Sequence, residues 1–411
     1  MTTPESGKVL GPLDLVRNRT FVLLTARGTS AGIGYTVYVG TILWLSYRLT
    51  GGVFLAGVLI GIETTIYTLT FLASPLIDRI HDKRWVYLAC YPVQAGAAFL
   101  LGLSYAFGFL TIPLLISIVT LLAVLWDLAW AADSTATRLL FGKENLFVVS
   151  GVGTALGGGV DIALYFTAGV ILALFGAAGG SYLYAGLLLA ATVLAFPLPI
   201  QTPNVKKQSY LEGFKEGWKH YKGEAGKGLR HLAVLQFSYG FFISAPLLLL
   251  PLYVGQYLED SQGLYATLYV GYLVGGILIG LVLGWLNPRK SLGPLGIAAL
   301  VATGVMLLLA EVSRGIVPLE MTVWTLVGVV VTTRTNVFWN YKQGKFAPEV
   351  LARISGNSYL FAGISSAAGA FLVGTLSTVW GLPVLTDFVA VGFIASAGVG
   401  LTLPGIRTLA F

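Results

Sequence analysis

Twelve apolar runs, each long enough to cross a bilayer, dominate this sequence. A helix rises about 1.5 Å per residue, so roughly 20 apolar residues cross a ~30 Å hydrocarbon core. Between charged or Gly/Pro-marked breaks the runs fall near 20–46, 52–76, 85–107, 111–133, 146–175, 179–199, 231–257, 263–286, 292–312, 317–341, 355–379 and 383–404. A chain of 411 residues, 56% hydrophobic and 10% charged, cannot build a water-facing surface, since a soluble protein is about 25% charged. The expected fold class is an all-α polytopic membrane protein with 12 transmembrane helices. Residues 1–19 are polar and show no signal-peptide cleavage pattern.

Charge placement tests the count. With the N-terminus inside, alternate loops on one side hold 21 of the 25 basic residues, among them Arg79, Lys83, Arg84, Arg138, Lys207, Arg289 and Lys345. A missed or invented span would scramble this asymmetry. The positive-inside rule therefore supports twelve spans, cytoplasmic termini and a multi-pass protein of the cell membrane. The net charge of +7 is then a topology signal, and no nucleic-acid partner is expected. A single cysteine, Cys90, excludes an intrachain disulfide, a Cys-based zinc site and an Fe–S cluster. No cofactor or metal is expected.

The polar segment Gln201–Arg230 divides the spans six and six. Leu211, Phe214, Trp218 and Tyr221 recur at helical spacing with lysines between them, which predicts an amphipathic helix on the inner membrane surface. The expected domains are a six-helix bundle over 1–200, a cytoplasmic linker over 201–230 and a second bundle over 231–411. The halves also repeat weakly. Phe141–Gly151 aligns with Phe346–Gly356 at an offset of 205, matching at Phe, Glu, Leu, Ser and Gly, and Tyr38-Val-Gly aligns with Tyr253-Val-Gly. Repeats of six spans are a recurrent transporter design, with the solute site at their interface.

The loop between spans 2 and 3 reads Ser74-Pro-Leu-Ile-Asp78-Arg79-Ile-His-Asp82-Lys83-Arg84. It resembles the Gly-x-Leu-x-Asp-Arg-x-Gly-Arg-Lys/Arg loop of the major facilitator superfamily. Asp78, Arg79 and Lys83 match; Ser74, His81 and Asp82 depart from the pattern. The resemblance implies two pseudo-symmetric six-helix bundles working by alternating access, with an inner latch built from Asp78, Arg79, Lys83 and Arg84, and Asp133 as a partner for Arg79 or Arg84. The loop at 141–145 and the Tyr210–Tyr221 segment are similar to the exporter branch of that family, while Gly151–Gly159 has the glycines of a drug-antiporter segment without its proline.

Ionisable groups inside spans cost at least ~2.5–3.5 kcal/mol each, so each should face a cavity or a partner. Counted from the inner span ends, Arg27, Asp127 and Arg334 share one level, about 10 Å above the cytoplasmic boundary. Spans 1, 4 and 10 line the cavity in the resembled fold, so these three are expected to cluster there. Either they bind a polar or anionic group of the solute or they form a gating ion pair. Tyr38, Trp126, Asn336 and Asn340 complete an aromatic, amide-bearing substrate site. Glu63 and Asp161, nearer the midplane, are the candidates for proton coupling, because a buried carboxylate lacking a cation can take up and release a proton near neutral pH.

The expected function is a secondary active transporter that moves a small amphipathic organic solute, a proton-coupled exporter. The alternatives are an uptake carrier or facilitator for an anionic solute and, more distantly, an intramembrane lipid-modifying enzyme. Enzymes of that last kind need clustered metal-binding carboxylates. Asp127 and Asp133, six apart, sit about 240° apart around a helix and cannot share a metal. No Walker A motif or Gly-x-Ser-x-Gly turn is present. The expected partners are a small-molecule substrate, the lipid bilayer and protons, with the chain working as a monomer.

Overall fold

The structure is a computed structural model that describes residues 12–78, 80–141, 149, 174–200, 218–223, 226–258, 261–286, 291–345 and 348–409. Among these residues the architecture is helical throughout. The helices are α1 (Pro12–Arg17), α2 (Arg19–Thr50), α3 (Phe54–Asp78), α4 (Arg84–Ala106) and α5 (Ile112–Phe141), then α6 (Leu174–Ala195). The second half contributes α7 (Lys227–Gly240), α8 (Ala245–Tyr257), α9 (Gln262–Leu286), α10 (Leu292–Ser313), α11 (Val317–Lys345), α12 (Pro348–Leu376), α13 (Leu382–Thr402) and α14 (Pro404–Arg407). Eleven of the twelve expected runs are helical. The run at 146–175, with Asp161 and the glycines of 151–159, lies almost wholly outside the described residues.

Seven helical stretches are long and apolar enough to cross a membrane by length and composition. Their outer faces carry large bare hydrophobics such as Phe99, Leu189, Val193 and Val312. Such a surface suits lipid, because a soluble monomer rarely exposes contiguous apolar area of this extent. Hydroxyls within the spans close on their own helix: Thr41, Ser46, Thr64, Thr303 and Ser396 each donate to the carbonyl four residues earlier. In hydrocarbon no water would satisfy them. Asn18 caps α2 by accepting from the N–H groups of Thr20 and Phe21. Gly51, Gly108 and Gly315 end helices with positive φ.

The run at 231–257 departs from a single continuous span. It breaks at 241–244 into α7 and α8. Pro246, at the start of α8, has no N–H to give the carbonyl four residues back and its ring crowds that carbonyl. The chain turns instead through three-residue hydrogen bonds, Phe242 to Tyr239 and Ala245 to Phe242. Two glycines accommodate the break: a Cβ on Gly369 would lie 2.0 Å from the Phe241 carbonyl oxygen, and one on Gly392 would lie 2.3 Å from the Phe242 ring.

The chain forms two compact units, Met1–Thr41 with Leu69–Lys207, and Ile42–Thr68 with Gln208–Phe411. In the first, α4 and α5 lie side by side, and Gly102 gives room for Tyr182 of α6. In the second, α9 and α11 approach backbone to backbone: Cβ atoms on Gly275 and Gly328 would lie 1.9 Å from the Thr325 carbonyl oxygen and 1.8 Å from that of Tyr272. Small residues let dispersion replace the hydrophobic drive that lipid cannot supply. The outer part of α3 belongs to this unit and packs through Gly57 against Ala370 and Gly374 of α12.

Two residues of the expected surface helix are placed differently. Tyr221 is buried and hydrogen bonds to Ser358 (2.9 Å) and the Ile354 carbonyl (3.1 Å), and Trp218 meets Phe361 edge-on at 5.7 Å. The linker's end thus docks on α12 instead of lying on lipid, because the phenol finds two polar partners there. Residues 210–217 lie outside the described residues.

Candidate solute site

In the first unit Arg27 of α2 is a buried cation, 2% exposed. Its guanidinium forms a two-pronged ion pair with Asp133 of α5, with Nη1 3.2 Å from Oδ2 and Nη2 on Oδ1. Nη1 also donates to Tyr91 Oη at 2.7 Å, and Tyr87 Oη donates to Asp133 at 2.6 Å. The Tyr87 ring lies flat against the guanidinium, 4.3 Å from its centre. This corrects one expectation: the carboxylate paired with Arg27 is Asp133 and not Asp127. The cause is helix length: α5 continues to Phe141, so Asp133 stands two turns inside the helix and reaches the level of Arg27. Of the partners expected for Asp133, Arg84 pairs with Asp82, and Arg79 lies outside the described residues. Tyr87 and Tyr91, one turn apart on α4, went unremarked in the sequence; their spacing beside a deep arginine was the available signal.

The rest of the polar face of α2 is also used within the unit. Ser30 donates to the Leu187 carbonyl at 2.8 Å, Gly34 accommodates Tyr184, and Tyr38, 2% exposed, stacks on Tyr184 at 5.1 Å. Trp126 stacks on Tyr35 at 4.4 Å, and Asp127 is buried. Arg84 pairs with Asp82 at 2.8 Å and donates to the Phe196 carbonyl at 3.2 Å. The buried Lys83 gives its main-chain N–H to the Ile200 carbonyl. Arg79 and the side chain of Asp78 lie outside the described residues.

The second unit holds Arg334 of α11, 1% exposed and differently equipped. The ring of Tyr239 lies 4.8 Å below its guanidinium and that of Phe393 5.9 Å away. Among the described residues its one hydrogen bond is a long one to Thr335 Oγ1, 3.4 Å, Nε and Nη1 have no partner, and Gln236 Oε1 is also unpartnered. Two aromatic faces offset part of the insertion cost, about 2 kcal/mol or more for a desolvated pair, yet they leave donors that only an acceptor satisfies. The broken turn of span 7 is adjacent: Phe242 packs on Phe393 at 6.0 Å, and Tyr239 is two residues before the break. Broken helices beside unpaired cations are where membrane carriers place polar solute groups.

Asn336 is half-buried two residues beyond Arg334, and the side chain of Asn340 lies outside the described residues. Of the three charges expected to cluster, Arg27 and Asp127 belong to the first unit and Arg334 to the second. Glu63 is half-buried on the α3 segment of the second unit. Among the described residues no group of His, Cys, Asp and Glu has the arrangement of a metal site.

Lipid-facing helices, a broken span and buried arginines define a polytopic membrane protein. The chain belongs to the Major Facilitator Superfamily, whose sequence profile matches residues 24–370. No functionally curated protein matches the sequence. Among solved structures it is similar to a nucleoside transporter, NupG, with 12% identity and a TM-score of 0.69, covering 93% of this chain and 97% of that one. It is also similar to a POT family transporter in complex with 5-aminolevulinic acid, with 13% identity and a TM-score of 0.73, covering 95% and 97%. These likenesses establish the twelve-helix transporter fold.

Proposed function

We propose that this protein is a secondary active transporter for a small organic solute bearing a carboxylate or similar anionic group, which Arg334 holds. The observation that carries this reading is the buried guanidinium with two unpartnered donor nitrogens and aromatic walls. Arg27 is answered by Asp133, whereas among the described residues Arg334 forms no ion pair. The POT family relative holding 5-aminolevulinic acid supports an acidic solute of modest size. In this reading the bundles of 1–200 and 231–411 alternate around the solute, protons supply the driving force through Glu63 or Asp161, and Asp78 and Arg79 latch the inner side. The monomer sits in the cell membrane with both termini cytoplasmic, supported by the one-sided basic loops.

Proteoliposome flux under an imposed pH gradient, with matched anionic, neutral and cationic compounds, tests it and also fixes direction. Arg334→Lys keeps the charge but loses the planar fork. Truncating one side of a buried charged hydrogen bond costs about 2–5 kcal/mol, roughly 30-fold or more in Kd. Arg334→Ala should therefore weaken anionic solutes by that factor, and Arg334→Lys by less. A panel in which neutral or cationic compounds are the ones transported would overturn the assignment.

A further inference from the structure

Where α10 gives way to α11, two glutamates face one phenol. Glu320, in the first turn of α11, is 0% exposed, and Glu311 ends α10 with its side chain 12% exposed. Tyr253 of α8 brings its hydroxyl within hydrogen-bond reach of both the Ala310 carbonyl and Glu320 Oε1. Glu320 Oε2 has no partner in hydrogen-bond geometry, and neither has the indole nitrogen of Trp324, one turn further along α11 and facing the carboxyl. The Trp324 ring stands edge-on to Tyr253 at 5.9 Å, and the Ser313 hydroxyl also faces Glu320. Around Glu311 stand Tyr257 of α8, Arg314 at 3.9 Å, and from α13 Thr386, whose buried Oγ is unpartnered, and the exposed Asp387.

Two arguments give Glu320 a proton. The first is charge balance. One cation, Arg314, serves two glutamates, and it lies against Glu311, out toward solvent. Among the described residues no cation forms an ion pair with Glu320, so its ionised form would be a fully buried anion beside a second carboxylate, which costs several kcal/mol. The second is proton counting. A phenol carries one proton, and a backbone carbonyl can only accept. Tyr253 can therefore hydrogen bond to both Ala310 and Glu320 only when the Glu320 carboxyl is itself the donor to Tyr253 Oη.

We propose that Glu320 is a proton-binding site, held as a neutral acid in the chain Glu320–Tyr253–Ala310. On release, the carboxyl gives its proton to water at the turn between α10 and α11. The Tyr253 hydroxyl then turns from the Ala310 carbonyl to the new Glu320 anion, which the Trp324 N–H also answers. The tie between α8 and α10 is lost in that step, so the protonation state is read by α8, the half of the broken span that follows the turn beside Arg334. The assignment does not rest on the solute reading.

Infrared difference spectroscopy on the full-length protein in lipid vesicles, without solute, tests it. At neutral pH the wild type should show the carbonyl stretch of a protonated carboxyl group, lost at alkaline pH. Glu320→Gln, whose amide can replace the acid as donor to Tyr253, should remove that band, and Asp14→Asn, at an exposed position, should keep it. Tyr253→Phe should shift the band, because the acid loses its acceptor; this variant decides the matter if Glu320→Gln does not fold. An unchanged band in both variants would overturn the proposal. So would a band abolished by sodium at fixed pH, which would make the cluster a metal-cation site.

Discussion

Removing Asp133 should harm the protein more than removing Arg27, and removing both should cost less than the sum. Breaking a buried pair by deleting one partner costs about 3–5 kcal/mol, because the survivor is left charged and dry. The two ends differ in exposure: the Arg27 side chain is 3% exposed and that of Asp133 28%. Asp133→Ala strands a guanidinium with only Tyr91 and the Tyr87 ring, so the full range of about 3–5 kcal/mol applies. Arg27→Met leaves a carboxylate that still has the Tyr87 hydroxyl and some water, and solvent screening lowers its cost to about 2–3 kcal/mol. The double variant should recover about 1–3 kcal/mol relative to additivity. Reversible unfolding of each variant in mixed micelles measures this, with Arg27→Met/Asp127→Ala as the control pair. The control should be additive within about 0.5 kcal/mol, since those two side chains form no ion pair. Additive losses at Arg27/Asp133, or coupling at Arg27/Asp127 instead, would refute the reasoning.

Other outcomes follow from single contacts. Tyr221→Phe leaves the Ile354 carbonyl without its phenol donor and the Ser358 hydroxyl without its phenol partner, and should cost about 1–3 kcal/mol in the same unfolding assay; no loss would mean that the linker's end is not docked. Gly328→Ala drives a methyl into the Tyr272 carbonyl and should destabilise by about 1–3 kcal/mol or more, whereas Gly96→Ala, with open space around it, should be neutral. Equal effects of the two alanines would count against the close α9–α11 approach. Glu63→Gln should abolish gradient-driven accumulation while sparing solute exchange; retained accumulation moves the coupling role away from Glu63.

Helix count and lipid exposure were legible in the sequence, because the thickness of hydrocarbon sets a minimum run length that 20-odd consecutive apolar residues satisfy whatever their neighbours. The family followed from Asp78, Arg79 and Lys83 in one short loop. The break in span 7 was visible in Pro246 but not its consequence, since whether a proline kinks or stops a helix depends on what fills the gap; here Gly369 and Gly392 make room for the turn. Partner choice was not legible. Position along a run gives depth in the membrane, and depth alone put Asp127 level with Arg27. Which carboxylate faces the arginine depends on how α2, α4 and α5 are rotated about their axes, and packing sets that rotation. Glu311 and Glu320 went unnoticed for a related reason: each stands at the edge of an apolar run, where a charge reads as a boundary. Only the packing of α8 against α10 and α11 turns that boundary into a buried acid, because Tyr253 and Trp324 close over it and shut out the water that the loop would otherwise supply.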